Sequence, residues 1–224
     1  MSGKLYIVST PIGNLKDITL RALETLKSVS VILAEDTRTT QILLNEYQIQ
    51  GKRVISYHSK NEKQRLPQVM EHLALGTDMA LVSEAGTPLI SDPGFLLVQE
   101  AVALGVTIVP IPGVSALTTL LPVSAFPLSS FYFAGFLSPK SGKRVNQLKA
   151  LKGLETVLVF YESPYRVEKT LTAMLEVFGP EAQVVIGREL TKKFEEILRG
   201  KLESIVNNSK FVVKGEFCIL LKNY

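Results

Sequence analysis

Residues 81–94 read LVSEAGTPLISDPG, and the fold is decided by what this stretch implies. Ala80, Leu81 and Val82 are the end of a short apolar strand; Gly86, Pro88, Pro93 and Gly94 then make a stiff loop of small polar residues. Proline fixes φ and has no N–H to donate, while glycine permits φ > 0 or close approach to a ligand. A loop of this kind at the C-terminal end of a strand lies where open α/β sheets bind ligands. Taken alone it is equally an ordinary tight connection with an Asp-Pro turn. The other strand ends carry the argument further.

Upstream, residues 5–9 form a first strand followed by the turn TPIGN at 10–14. Asp17 or Thr19 can cap a helix with Leu20, Leu23, Leu26 and Val29 on its apolar face. A buried strand at 31–34 runs into Glu35-Asp36-Thr37-Arg38, and a helix follows at 39–47. A strand at 54–56 leads to the polar loop at 57–61, and a helix at 62–75 returns the chain to the strand at 79–82. Downstream, a helix at 95–104 stops at Gly105, and a strand at 107–111 ends in Pro112-Gly113-Val114-Ser115. Strands alternating with helices at this spacing predict a mostly parallel sheet with helices on both faces.

The rhythm changes at 121–130, LPVSAFPLSS, which marks the expected boundary between domains at 1–120 and 121–224. Beyond it, strands are expected at 131–134, 156–161, 183–188, 195–199 and 216–221, with helices at 144–151, 164–177 and 202–207. Strands here follow each other without intervening helices, so the second sheet is expected to be mixed. The fold class is α/β, in two domains.

Composition narrows the functions. Hydrophobic residues make up 46% of the 224 and mean hydropathy is +0.21, as expected of a buried core. A net charge of +4 permits an anionic partner without demanding one. The one cysteine, Cys218, lies in an apolar run and reads as a core thiol; no internal disulfide is possible, which fits a reducing compartment. No apolar run is long enough for a signal peptide or a membrane span, so a soluble, cytoplasmic protein is expected. No G-x-G-x-x-G follows a strand. Residues 140–144, KSGKR, resemble a phosphate loop superficially, but position 137 is Leu where that loop needs Gly. His58 and His72 are the only histidines and no Cys/His spacing fits zinc, so no metal is expected. The loops TPIGN, AEDTR, SYHSKNE, SEAGTPLISDPG and PIPGVSAL line one edge of the first sheet, and FYESP, RELTK and KGEF belong to the second half.

As a set, these motifs resemble the bacterial ribosomal RNA small-subunit (cytidine-2′-O)-methyltransferases, within the tetrapyrrole methylase superfamily. The resemblance covers essentially the whole chain. It rests on TPIGNL at 10–15, AEDTR at 34–38, residues 83–94, PIPG at 110–113, FYESP at 160–164 and RELTK at 188–192, in that order. It implies a two-domain tetrapyrrole-methylase-like fold, S-adenosylmethionine in the cleft between the sheets, and a homodimer. Transferred to this chain, Ser83, Ala85, Gly86, Thr87, Leu89 and Ile90 would hold the amino acid part of the cofactor. Ser115 and Ala116 would begin a helix beside it, and Tyr161, Leu190, Gly215 and Glu216 would border the adenosine. Relatives acting on tetrapyrroles have a glycine-rich first loop and Gly-Asp-Pro later; here the first loop is TPIGN and Thr87 takes the place of the Asp, which favours RNA. Many RNA-modifying members extend beyond the last strand into a basic segment, whereas this sequence ends at Tyr224. Weaker affinity for RNA, or docking on an assembled small subunit, is then expected.

Methyl transfer to a ribose 2′-hydroxyl is an in-line displacement that gains from positioning and from a base that takes the hydroxyl proton. The base candidates are Lys192, Glu189, Asp36 and His58. Lys192 would need a lowered pKa; alternatively it pairs with Glu189 or Glu195. Arg38 is a phosphate or ribose contact, or an ion pair with Asp36 or Glu35. His58, Lys140, Lys143 and Arg144 are the further candidates for RNA contact, and Tyr161 and Tyr57 stack on a base or pack in the core. Two competing readings remain: a small-molecule methyltransferase and a catalytically silent RNA-binding module.

Overall fold

The computed structural model describes residues 2–222 and 224, which divide into two compact units, one ending at Ser115 and the other starting at Ala116. The division falls five residues before the expected 120/121 boundary, because the short helix α5 (Ala116–Leu120) packs with the second unit.

In the first unit, strands β1 (Leu5–Val8), β2 (Val31–Ala34), β3 (Arg53–Ser56), β4 (Met79–Val82) and β5 (Ile108–Ile111) form one sheet in the order β3-β2-β4-β1-β5. Every pair is parallel. Parallel strands need crossovers, supplied by α1 (Leu20–Ser28), α2 (Thr37–Glu46), α3 (Glu62–Ala74) and α4 (Phe95–Ala103). Two buried clusters show which helix covers which face. Val8, Ile32, Ala80 and Val82 pack with Ala22 and Leu26 of α1 and Leu43 and Leu44 of α2. On the other face Leu5, Leu33, Met79 and Leu81 pack with Val69 and Leu73 of α3 and Leu97 and Ala101 of α4. The chain therefore leaves the neighbouring strands β1 and β4 toward opposite faces. That divergence is the crevice where doubly wound sheets take ligands.

The second unit has β6 (Phe131–Phe136), β7 (Val157–Glu162), β8 (Gln183–Arg188), β9 (Glu196–Lys201) and β10 (Phe217–Lys222) in the order β6-β7-β10-β8-β9. Only β6 and β7 are parallel, so the sheet is mixed as expected. Helices α6 (Ser141–Leu151), α7 (Val167–Phe178) and α8 (Leu202–Val206) cover one face, with Leu148, Leu171, Met174 and Ile205 against Leu158, Phe160, Ile186 and Ile219.

Some local expectations are corrected. Thr19, not Asp17, caps α1: its hydroxyl accepts the Ala22 N–H at 3.1 Å, a bond typically contributing about 1 kcal/mol. This phasing turns Leu20 outward, 79% exposed, and gives the buried positions to Ala22, Thr25 and Leu26. Asp36 caps α2, so that helix starts at Thr37 instead of 39. Helix α6 starts at Ser141, three residues before the expected 144, and α7 starts at Val167 instead of 164. Cys218 is a core thiol: burial leaves it 2% exposed and pushes its pKa up to about 12.

Candidate active site

The C-terminal ends of β1, β4 and β5 are laced together. Thr10 and Gly86 exchange two backbone hydrogen bonds, Thr10 N–H to Gly86 C=O at 2.8 Å and the reverse at 3.0 Å. The Thr87 hydroxyl lies 2.9 Å from the Ser9 hydroxyl and donates to the Val114 carbonyl at 3.1 Å. Thr87 is thus the bolt between three loops. Ser83 is buried, and its hydroxyl oxygen lies 3.2 Å from the Gly86 carbonyl. Gly86 has φ +85°, and a Cβ there would come within 3.3 Å of Ile12.

Two non-glycine residues of the same loop, Leu89 and Ser91, have φ of +70° and +72°. Such backbone conformations cost on the order of 1–3 kcal/mol each and persist where the surroundings dictate them, often at ligand sites. Ala85 and Ile90 are exposed, and Ser115, next to Gly86, is buried. Among the described residues, no intrachain partner meets the backbone N–H of Ala85, Thr87 or Leu89. The loop is rigid and braced from below, with donors to spare.

Asp92, absent from the sequence-derived candidates, belongs to this loop. Burial, reinforced by the neighbouring Glu35 carboxylate and Glu84 against a hydrogen bond from Ser83, pushes its pKa up to about 7. The Glu35 carboxylate also accepts the Glu84 N–H at 3.2 Å. The sequence offered only the dipeptide Asp-Pro, which reads as a turn.

The remaining first-unit candidates stand apart. Asp36 accepts the Arg38 N–H at 2.8 Å and pairs with its guanidinium at 2.6 Å. Those Arg38 hydrogen bonds hold the Asp36 carboxyl at about 2, which makes it a weak base. Of the alternatives for Arg38, the ion pair is with Asp36, and its side chain remains 87% exposed. His58 is turned into its own loop: its Nδ1 accepts the Lys60 N–H at 3.2 Å and its backbone N–H donates to Asn61. Tyr57 cannot stack on a base. It is fully buried, its hydroxyl has no partner among the described residues, and burial with nearby Glu62 pushes its pKa to about 12.

In the second unit the loops after β8 and before β10 bring together Glu189, Leu190, Lys192, Gly215 and Glu216. Lys192 Nζ lies 3.0 Å from Glu189 and 2.7 Å from Glu216. Glu189 also accepts the Glu216 N–H at 3.1 Å and has φ +51°. Gly215, φ +88°, lies under the Glu189 carboxylate, where a Cβ would overlap it. The lowered pKa that a lysine base needs is absent. Burial pulls the Lys192 ammonium down, but its bonds to Glu216 and Glu189 outweigh this and the net shift is upward. Burial likewise raises Glu189, and the Lys192 and Glu216 hydrogen bonds carry it below the ordinary carboxylate range. Glu195, the other partner considered for Lys192, instead accepts the Thr191 N–H at 2.6 Å.

Tyr161 meets Phe133 and Phe136 edge-on, with ring centroids 5.0 and 5.8 Å away, and its hydroxyl accepts the N–H of Leu117 beside Ala116. Lys140, at the capping position of α6, and Lys143, in its first turn, are exposed, whereas Arg144, expected beside them in a solvated cluster, is only 4% exposed. No group of three or more His, Cys, Asp or Glu suited to a metal occurs among the described residues.

The family profile described as Tetrapyrrole (Corrin/Porphyrin) Methylases matches residues 4–206. The chain belongs to the tetrapyrrole methylase family. Among its curated relatives is the protein of Mycoplasmopsis pulmonis named ribosomal RNA small subunit methyltransferase I. It is 50% identical over 218 residues, 97% of this chain and 96% of that protein. The protein of the same name from Thermotoga maritima is 48% identical over 220 residues, 98% of each chain. The methylase fold is seen in the crystal structure of uroporphyrin-III C-methyl transferase from Thermus thermophilus complexed with S-adenyl homocysteine. It superposes with a TM-score of 0.70 at 19% identity, covering 97% of both chains.

Proposed function

We propose that this methylase transfers a methyl group from S-adenosylmethionine to the 2′-hydroxyl of a cytidine ribose in small-subunit ribosomal RNA. The observation that carries the reading is the near-complete similarity, at 48–50% identity, to proteins named ribosomal RNA small subunit methyltransferase I. TPIGN and Thr87 agree with it, since Thr87 works as an inter-loop bolt and not as a carboxylate toward a ligand. The residues fit the cofactor. The backbone donors of Ala85, Thr87 and Leu89 would meet its amino acid carboxylate, over Gly86 and beside Ile90, Ser83 and Ser115. Within the second unit, Ala116, Tyr161, Leu190, Gly215 and Glu216 are the residues proposed for an adenosine. When bound, the cofactor supplies a methyl group already activated on a sulfonium.

The chain's own part is to hold the ribose and take a proton. Lys192 stays an ammonium between Glu189 and Glu216, so its part is to orient the attacking oxygen. Glu189, committed to Lys192, fixes that ammonium. Asp36 holds Arg38, whose exposed guanidinium would meet a phosphate, and His58 would add a neighbouring contact. Asp92, changing protonation near neutral pH within the cofactor loop, has the basicity that proton transfer at neutral pH requires.

The reading extends to a cytoplasmic homodimer acting on the assembled small subunit. Exposed Phe131 and Tyr132 on edge strand β6 support self-association, and a net charge of only +4 suits recognition by shape. Labelled S-adenosylmethionine offered with small subunits, free ribosomal RNA and a tetrapyrrole precursor in parallel tests it. The expected result is label in the subunits alone, mapping to a cytidine ribose. Label in the tetrapyrrole, or cofactor binding with no label in RNA, overturns the reading.

A further inference from the structure

Helix α6 begins without a side-chain cap: Lys140, at the capping position, makes no such bond. The N–H groups of Ser141, Gly142 and Lys143 point out of the first turn without intrahelical acceptors, and these three residues are all exposed. An uncapped helix start is not in itself a site. Arg144 adds a second and independent feature. The residue is only 4% exposed, and among the described residues its Nε has no partner and its one side-chain bond is from Nη1 to the Ser138 carbonyl at 3.5 Å. Side chains on a helix lean toward its N-terminus, and this contact places the guanidinium there, beneath the turn that precedes α6.

No carboxylate lies within ion-pair distance of Arg144 among the described residues. The neighbouring Arg166 is different. It holds the adjacent carbonyl, Leu137, at 3.0 Å, but Glu162 neutralises it at 2.7 Å. Two arginines thus brace one turn, and only one of them has its charge answered. A buried unanswered cation is costly, and the cost falls when an anion pairs with it.

We propose that residues 138–144 form a phosphate site, with the Ser141–Lys143 N–H groups, the Ser141 hydroxyl, Lys140, Lys143 and the Arg144 guanidinium as its donors. Resting on the RNA reading above, the phosphate is one in the backbone of the substrate RNA. The helix dipole favours an anion there, and a guanidinium matches phosphate oxygens in shape.

The test uses the full chain and Gly142→Asp. Open space surrounds the Gly142 Cβ position, and an acidic residue in the first turn suits the helix while repelling phosphate. Backbone amide resonances of residues 141–143 are followed as inorganic phosphate replaces chloride at constant ionic strength. The expected result is a saturable shift in the wild type, absent in Gly142→Asp, whose melting temperature and affinity for S-adenosylhomocysteine are kept. With small subunits, Gly142→Asp and Lys143→Ala should raise KM about tenfold and reduce the slope of log K against log salt by about one. No shift with phosphate overturns the site. A shift with KM and salt slope unchanged in both variants assigns it to free phosphate and overturns the RNA part. If the wild type methylates no RNA but the amides still respond, the proposed function falls while the phosphate site stands.

Discussion

Asp92 carries the most consequential single-residue chemistry in the first unit. Its folded-state pKa of about 7 lies above its ordinary 3.8, so the folded chain holds a proton there that the unfolded chain has released. Stability from this group is complete below pH 3.8 and is lost as pH rises through about 7. Screening by partial solvent contact leaves an effect of about 1–2 kcal/mol. Asp92→Asn has no charge to bury, so its denaturant midpoint should exceed that of the wild type at pH 8 and converge with it at pH 4. Equal midpoints at both pH values would count against a raised pKa. Asp92 shows where residue-level reading of sequence stops. Gly86 and Thr87 announced themselves by type and place, whereas the basicity of Asp92 comes first from its burial and then from Glu35 and Glu84, brought to it by neighbouring strand ends. Lys192 is the converse: its type suggested a base, and two carboxylates, one of them 24 residues away in the chain, keep it protonated.

At the scale of elements, the loop after β8 depends on Gly215, in the loop before β10, as a floor for Glu189. Gly215→Ala would meet both a left-handed backbone and the carboxylate. It should lower stability by about 1–3 kcal/mol, or several degrees in Tm, and weaken S-adenosylhomocysteine binding. Gly153→Ala, with open space and no left-handed backbone, is the matched control and should stay within about 0.5 kcal/mol. Thermal melts and titration calorimetry on both variants decide it. Element identity was legible because β1, β4 and β5 are short apolar runs closed by Ser or Pro, and β2 is one closed by Glu35-Asp36. Starts of helices were less so. Asp36 caps through a backbone bond the pattern does not reveal, and α6 begins on Ser-Gly-Lys, residues that suggest a loop until Arg144 is found underneath.

Over the whole molecule, alternation of strand and helix led correctly to a parallel first sheet, and clustering of strands to a mixed second one. The strand orders are beyond such a reading, since they depend on which apolar faces meet. The single thiol gives a direct probe of the second core. Cys218, held unreactive by burial, should resist a thiol reagent in native protein and be modified at the rate of unfolding, a rate followed by absorbance. Fast modification under native conditions would mean that the second sheet opens on its own. The place of β10, between β7 and β8, has a consequence for biosynthesis. The first sheet has all five strands between Leu5 and Ile111 and can close while the remainder is still being translated. The second has to wait. Between emergence of Arg188 and of Lys222, about two to seven seconds at about 5–20 residues per second, β7 and β8 face a gap with unpaired edges. In that interval the nascent chain is most exposed to aggregation and most in need of a chaperone.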